Sequence, residues 1–441
     1  MSLLQNKNIK LFLSYVVPSM ISMLIIGSYS IVDSIFIGQS GGAVGLAAVA
    51  VTWPLVMLFG AFGDMFGTGA AILVSRARGK GDIEPAKKLF GAMFVIQIIF
   101  GLFLTGCFLF ELKDILVLFG ATEELLPLSI PYAIILIYGG LPCMLLIGTS
   151  AVLRNDGRPV LAMWLMVVGL LMNILLDYVL IFPCGWGIKG AAYATLISQV
   201  VMFVVQLGYF ATPYTQLRYT WSMFLVKWSH IKEVIFNGIP SLGNQLAIIV
   251  MLFLHNYQSL HYGKVDGLAA YTFIGAIESL GSLLLTGLSL GVQPLVSYLY
   301  GGKRCRRQNI IGNMGYYTAF VLGLILMMIS VLGRNIFPAW FNLHGEVAQM
   351  ASHGLVISST AFVLLGVIRV AGYYYQATGK IKISSWLIYG DAFIVLPLCL
   401  FVLPLFFGLD GVWLAMPVSR VILFGFVCYL WFGVRNITIL K

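Results

Sequence analysis

Apolar runs dominate the chain and follow one another with only short polar breaks between them. Twelve can be marked, at about 12–38, 44–75, 89–110, 125–152, 160–182, 188–212, 233–260, 268–300, 309–333, 347–378, 384–406 and 409–434. A helix crosses the hydrocarbon core of a bilayer in about 20 residues, and every run reaches that length. Lipid offers an open backbone no hydrogen-bond partner, and barrel strands would be about half as long with alternating polarity. The pattern therefore predicts an all-α integral membrane protein of twelve transmembrane helices.

Composition agrees. Of 441 residues, 60% are hydrophobic and 10% charged, whereas soluble domains carry about 25% charged residues. The net charge of +10 is not a nucleic-acid stripe, because the cations sit in short loops at intervals of two apolar segments. Twenty Lys and Arg fall in one set of alternate loops and four (Lys113, Lys189, Lys264, Arg334) in the other, with Arg369 and Arg420 inside spans. The richer side is expected to be cytoplasmic, together with both termini. Lys7 and Lys10 precede an apolar run that continues to Asp33 without a small-residue cleavage site, so that run is expected to be the first span. The six cysteines show no CxxC or metal spacing and read as buried apolar thiols. There is no GxxxxGK[ST], HExxH or GxSxG, so neither ATP hydrolysis nor enzymatic chemistry is expected, and an ion gradient is the default driving force.

The chain repeats itself. Pro18-Ser19 recurs as Pro240-Ser241 and Gly45-Leu46-Ala47-Ala48 as Gly267-Leu268-Ala269-Ala270, both 222 residues on. Val74-Ser75, Gly79, Gly157 and Trp164 recur at the same offset. Six spans separate the copies, and an even number preserves orientation, so the repeat is parallel, about an axis along the membrane normal. The expected organisation is an N-terminal six-helix lobe (1–212), a cytoplasmic linker (213–232) carrying Arg218, Lys227 and Lys232, and a C-terminal six-helix lobe (233–441). Two matched halves facing a central cleft suggest a transporter.

Five acids lie within spans: Asp33, Asp64, Asp177, Glu278 and Asp391. Each charge at mid-bilayer costs about 2.5–3.5 kcal/mol on insertion scales, so these residues should face a cavity or a partner. Asp33 and Asp177 each lie five residues before an extracellular exit, at one depth. Asn173 shares the helical face of Asp177, and Thr195 on span six is at a similar level. Two carboxylates, an amide and a hydroxyl can hold Na⁺ or a proton; a structural polar network joining three helices is the other reading. The second-lobe counterparts of Asp33, Asn173 and Asp177 are His255, Val395 and Cys399, so the site is asymmetric. Glu278, Asp391, Arg369 and Arg420 suggest second-lobe ion pairs, with Glu278 facing the cleft as the alternative. Asp64 is open to either role, and His255 and His353 read as lining residues or proton shuttles.

The set of motifs resembles the multidrug and toxic compound extrusion family over essentially the whole chain. It comprises Val32-Asp33-Ser34-Ile35-Phe36-Ile37-Gly38, Gly67-Thr68-Gly69-Ala70, Leu153-Arg154-Asn155-Asp156-Gly157, Asn173-Ile174-Leu175-Leu176-Asp177, Gly291-Val292-Gln293-Pro294 and Gln376-Ala377-Thr378-Gly379-Lys380. The resemblance implies a V-shaped pair of six-helix bundles that exports organic cations and drugs in exchange for H⁺ or Na⁺. It implies no cofactor beyond that ion. It carries the family's first-lobe cation site onto Asp33, Asn173, Asp177 and Thr195, with Tyr132 as the match of a nearby tyrosine on span four. Some members place a second-lobe site on acids in spans seven and ten; these spans carry no acid inside the membrane here. The expected partners are small organic cations and membrane lipid, with no nucleic acid. The chain is expected to be a monomer in a bacterial or archaeal inner membrane. A flippase of lipid-linked oligosaccharides is the alternative within the same broad superfamily, and a membrane scaffold would need no buried acids at all.

Overall fold

The computed structural model describes residues 2–439, with side chains over 7–29 and 31–430. Met1, Lys441 and the Arg435 side chain, which enter the lobe limits and the charge count above, lie outside the described residues. Among the described residues the chain is helical and holds no strand. In order the helices are α1 (Ser2–Lys80), α2 (Ile83–Phe110), α3 (Leu112–Leu118), α4 (Leu126–Asn155), α5 (Pro159–Ile181), α6 (Gly187–Ala211), a 3₁₀ turn (Trp221–Phe224), α7 (Trp228–Gly301), α8 (Cys305–Gly333), α9 (Phe337–Trp340), α10 (Gly345–Ser359), α11 (Ala361–Ala377), α12 (Ile381–Gly390), a π turn (Asp391–Val395), α13 (Leu396–Phe407) and α14 (Leu409–Ile439). Nine described stretches are long and apolar enough to cross a bilayer, and α10 with α11 make a tenth, bent by 40°. Of the nine, α1 and α7 are each two spans long, 79 and 74 residues, so the twelve expected spans are all present.

The double-length helices correct the expected loops after spans one and seven. Each continues through a single non-helical residue, Gly42 (φ 57°, ψ −153°) in α1 and Lys264 (φ 52°, ψ −149°) in α7. These two positions are 222 apart, so the repeat extends to backbone conformation as well as to sequence. Span eleven is interrupted by the π turn just before Pro397. A proline has no N–H to give, and a widened turn absorbs the carbonyl left over.

Packing divides the chain into two compact units, one of Ile21–Leu242 with Ser297–Arg304, the other of Met1–Met20, Gly243–Val296 and Cys305–Lys441. In the first unit the start of α7 lies against the second half of α1, so close that a Cβ on Gly69 would be 2.8 Å from the Gly238 nitrogen. In the second unit the mirror contact occurs: a Cβ on Gly291 would be 2.6 Å from the Val16 Cα. Glycine at these positions is a condition of helix contact rather than of flexibility.

Span α5 shows how polarity is inverted in this environment. Val160, Trp164, Val168, Leu171, Leu175 and Tyr178 form an exposed apolar stripe at helical spacing, while Asn173 and Asp177 are fully buried on the other face. The exposed stripe is the lipid face. The same inversion corrects the reading of the cysteines: Cys399 is buried, but Cys107, Cys184 and Cys305 are exposed and Cys143 and Cys428 intermediate. Cys107 lies within α2, where exposure means lipid, which accommodates an apolar thiol as well as a core does, whereas Cys184 follows α5 and Cys305 opens α8, at the ends of spans.

Candidate functional site

Four spans of the first unit converge on Asp33 and Asp177. Ile37 of α1, Tyr132 and Ile135 of α4, Ile181 of α5, and Ile188, Ala191 and Ala192 of α6 pack as one apolar cluster. One turn deeper on the same helical faces stand Asp33 below Ile37, Asp177 below Ile181 and Thr195 below Ala191. Asn173 follows Asp177 by another turn. Asp33 and Asp177 are buried and within electrostatic range of each other and of Tyr29 and Tyr132. Both acids stand one turn below the same apolar cluster, and α1 does not end at Gly38 but runs to the break at Gly42.

The donor set is unusual for its lack of partners. Asp33 Oδ1, both Asp177 carboxylate oxygens and both polar atoms of the Asn173 amide are buried without a hydrogen-bond partner. No ion pair reaches either acid among the described residues. Thr195 does not touch the acids through a hydrogen bond; its hydroxyl shares one of 2.8 Å with the Tyr29 phenol. Tyr29 is the residue sequence reasoning missed. Its spacing of four from Asp33 places it on the same face of α1, and that spacing was the available signal. Among the described residues no group of three or more His, Cys, Asp or Glu converges, so this is a two-carboxylate site suited to a monovalent cation or a proton.

In the second unit the corresponding place is chemically different. His255, the counterpart of Asp33, bonds through Nδ1 to the Met251 carbonyl at 2.9 Å and stacks on Tyr271 at 5.0 Å. Cys399, the counterpart of Asp177, belongs to an apolar cluster with Ala361, Leu396, Leu400, Val412, Ala415 and Met416. His255 is thus held by a backbone carbonyl and an aromatic face. His353 lies elsewhere: its Nε2 is 3.2 Å from Asp410 Oδ1 at an exposed end of the bundle.

The remaining intramembrane charges form a chain of alternating sign. Arg420, 1% exposed, donates to Asp391, which the π turn presents, and Arg420 is also in electrostatic range of Glu278. Arg369 is in electrostatic range of Asp391 and donates to Thr286 Oγ1 and, at 3.2 Å, to the Ser282 carbonyl. Of the four, Asp391 and Arg420 are a bonded pair. Glu278 is buried with no carboxylate-to-cation contact of bonding length among the described residues.

Asp64 lies apart from the two-carboxylate site. It accepts from Thr68 Oγ1 at 2.8 Å and is in range of Arg154. Neighbouring Gly63 packs on Met144 of α4, twelve residues and so about 18 Å along that helix from Tyr132. The Arg154-Asn155-Asp156-Gly157 motif closes the same end. Arg78 reaches Asp156 at 3.1 Å and the Asn155 carbonyl at 3.0 Å, and the Tyr209 hydroxyl donates to Asp156 at 2.8 Å. Gly157 turns the chain at φ 88°. That motif is a latch joining α1, α4 and α6.

A family model described as MatE matches residues 18–179 and again residues 240–401, so the second match begins 222 residues after the first. Multidrug export protein MepA of Staphylococcus saprophyticus is 24% identical over 406 residues, 92% of this chain and 89% of its own length. The protein of the same description from Staphylococcus aureus is 24% identical over 403 residues, covering 91% and 89%. An outward-facing multidrug resistance MATE family transporter of the MOP superfamily superposes with a TM-score of 0.90 at 24% identity, covering 97% of this chain and 95% of that one. A crystal structure of MATE in complex with MaD3S superposes with a TM-score of 0.89 at 25% identity, with the same coverage. These likenesses share the twelve-helix, two-lobe fold.

Proposed function

Because the chain belongs to the MatE family of multidrug-export membrane transporters, we propose that it exports organic, mostly cationic compounds by alternating access, in exchange for H⁺ or Na⁺ held at Asp33 and Asp177. The observation that carries this reading is the pair of buried carboxylates, without a cationic partner and surrounded by unpartnered amide and carboxylate atoms. Such a pair is costly until a cation joins it. Asn173 supplies a further oxygen, and the Tyr29–Thr195 hydrogen bond ties α1 to α6 beside the pair. Tyr132 walls the site from α4.

Coupling follows from charge. An ion that neutralises the pair changes how α1, α4, α5 and α6 pack, and a drug that favours the other packing weakens ion binding by the same factor that the ion weakens drug binding. With the cation-rich loops in the cytoplasm, both termini are cytoplasmic and export runs outward across the plasma membrane. The protein needs no cofactor beyond the ion. The lipid-linked sugar alternative would need basic groups free to hold a pyrophosphate. Arg420 is committed to Asp391, and Arg369 to Thr286 and a backbone carbonyl.

Ethidium accumulation in everted vesicles tests the reading under imposed H⁺ and Na⁺ gradients. Transport that follows one gradient supports it and identifies the ion. A folded protein that moves no organic cation under either gradient contradicts it.

A further inference from the structure

The segment between α6 and α7 is not a tether. Thr215, Leu217 and Met223 are buried, and the Tyr219 nitrogen donates to the Phe210 carbonyl at 3.3 Å. Tyr219 and Phe224 join an aromatic cluster with Phe90, Phe94 and Phe210, at centroid distances of 4.7–6.3 Å. The Met223 carbonyl rests on Gly91 of α2, where a Cβ would be 2.6 Å from the Met223 carbonyl carbon. One face of the segment is thus seated on the first unit.

The other face is large, apolar and open. Trp221 is 91% exposed, Leu225 78%, Tyr214 74% and Trp228 61%, all at or beyond the ends of the spans. The apolar side chains are interleaved with exposed Arg218, Lys227 and Lys232, the last with its ammonium 5.9 Å from the Trp228 ring. Residues 213–232 contain no acid; the acids nearest in sequence on this end are Glu233, exposed beside Lys232, and Asp156, buried and paired with Arg78. Aromatic rings beside cations, with no acid among them, are the chemistry of an interface with negatively charged headgroups.

We propose that residues 213–232 form an interfacial anchor that binds anionic phospholipid headgroups of the leaflet on the cation-rich side. Trp221 and Leu225 lie at the acyl boundary, and Arg218, Lys227 and Lys232 contact the phosphates. The seat on α2 holds the aromatic face in position, so the lipid's charge composition acts directly on the segment that leads into α7. The inference does not depend on the transported compound.

The test uses the full-length protein in nanodiscs, with Trp221→Phe as the reference, so that the difference in fluorescence isolates Trp221. Brominated phosphatidylglycerol and brominated phosphatidylcholine are compared at equal mole fraction, alongside aqueous acrylamide. The Trp221 component should be quenched by both brominated lipids, several-fold more strongly by the glycerol lipid, and little by acrylamide. Each neutralised cation should lower that preference, so Arg218→Gln with Lys227→Gln and Lys232→Gln should nearly equalise the two lipids. Equal quenching by the two lipids in the unmodified protein would overturn the charge recognition. A Trp221 component open to acrylamide and blind to both lipids would overturn the anchor and point to a soluble partner.

Discussion

The two breaks at Gly42 and Lys264 place a glycine and a lysine in the same backbone conformation, φ near 55° with ψ near −150°. That region is essentially restricted to glycine, and a side chain held there costs about 1–3 kcal/mol. Lys264 is exposed, so its replacement loses little packing. Lys264→Gly removes the strain but gives the unfolded chain more freedom, worth about 0.5–1 kcal/mol in the opposite direction. The net expectation is a gain of about 1 kcal/mol. Gly42→Ala reverses the argument: a Cβ there meets nothing within 4 Å, so its cost, about 1 kcal/mol after the same entropy correction, is purely conformational. Unfolding midpoints in mixed micelles should therefore rise for Lys264→Gly and fall for Gly42→Ala, at unchanged expression. A midpoint that falls or stays for the lysine replacement, or rises for the alanine one, refutes the assignment of strain to these breaks.

Three other perturbations follow from the packing and the charges. Tyr29→Phe removes one partner of the 2.8 Å bond to Thr195 and should weaken ion binding several-fold, corresponding to about 1 kcal/mol, while drug binding in the absence of ion is retained; ion titrations of drug affinity separate the two. Arg420→Met leaves Asp391, whose Oδ1 is buried, without its bonded cation and should cost about 3 kcal/mol, most of it recovered when Asp391→Asn is added; a double-mutant cycle on thermal midpoints checks it, and no recovery would show that the pair is not the reason for the loss. Gly291→Ala should lower the folded yield because its Cβ meets the α1 backbone, about 1–3 kcal/mol, whereas Gly106→Ala, with open space around it, should not; size-exclusion profiles compare them.

Span number and the repeat were legible because lipid imposes them on composition alone: a run of about 20 apolar residues has few alternatives. Asp33, Asn173 and Asp177 were legible because a carboxylate in a span is too costly to be incidental, and because residues at equal distance from a helix exit share a depth. Tyr132 came only from the family resemblance. What escaped depends on rotation and on contacts between helices far apart in sequence. Tyr29 meets Thr195 across 166 residues, and nothing in either local pattern specifies that pairing. The choice of Arg420 rather than Arg369 as the partner of Asp391 was open for the same reason. The π turn at Asp391–Val395 was marked by Pro397 but not predictable from it, since proline in a span more often produces a simple kink. The loop expected after span seven became a break at Lys264 because nothing in a lysine announces a positive φ; its counterpart Gly42 would have been the better guide.

The central claim is that Asp33 and Asp177 carry the ion exchanged for drug, and drug-driven ion movement in proteoliposomes tests it most directly. With a drug gradient imposed and no other driving force, an entrapped pH dye and ²²Na⁺ would be followed for the unmodified protein, Asp33→Asn and Asp177→Asn, each verified as folded. The account predicts movement of one ion, opposite to the drug, in the unmodified protein and its loss in both variants. Undiminished ion movement in either folded variant would contradict it.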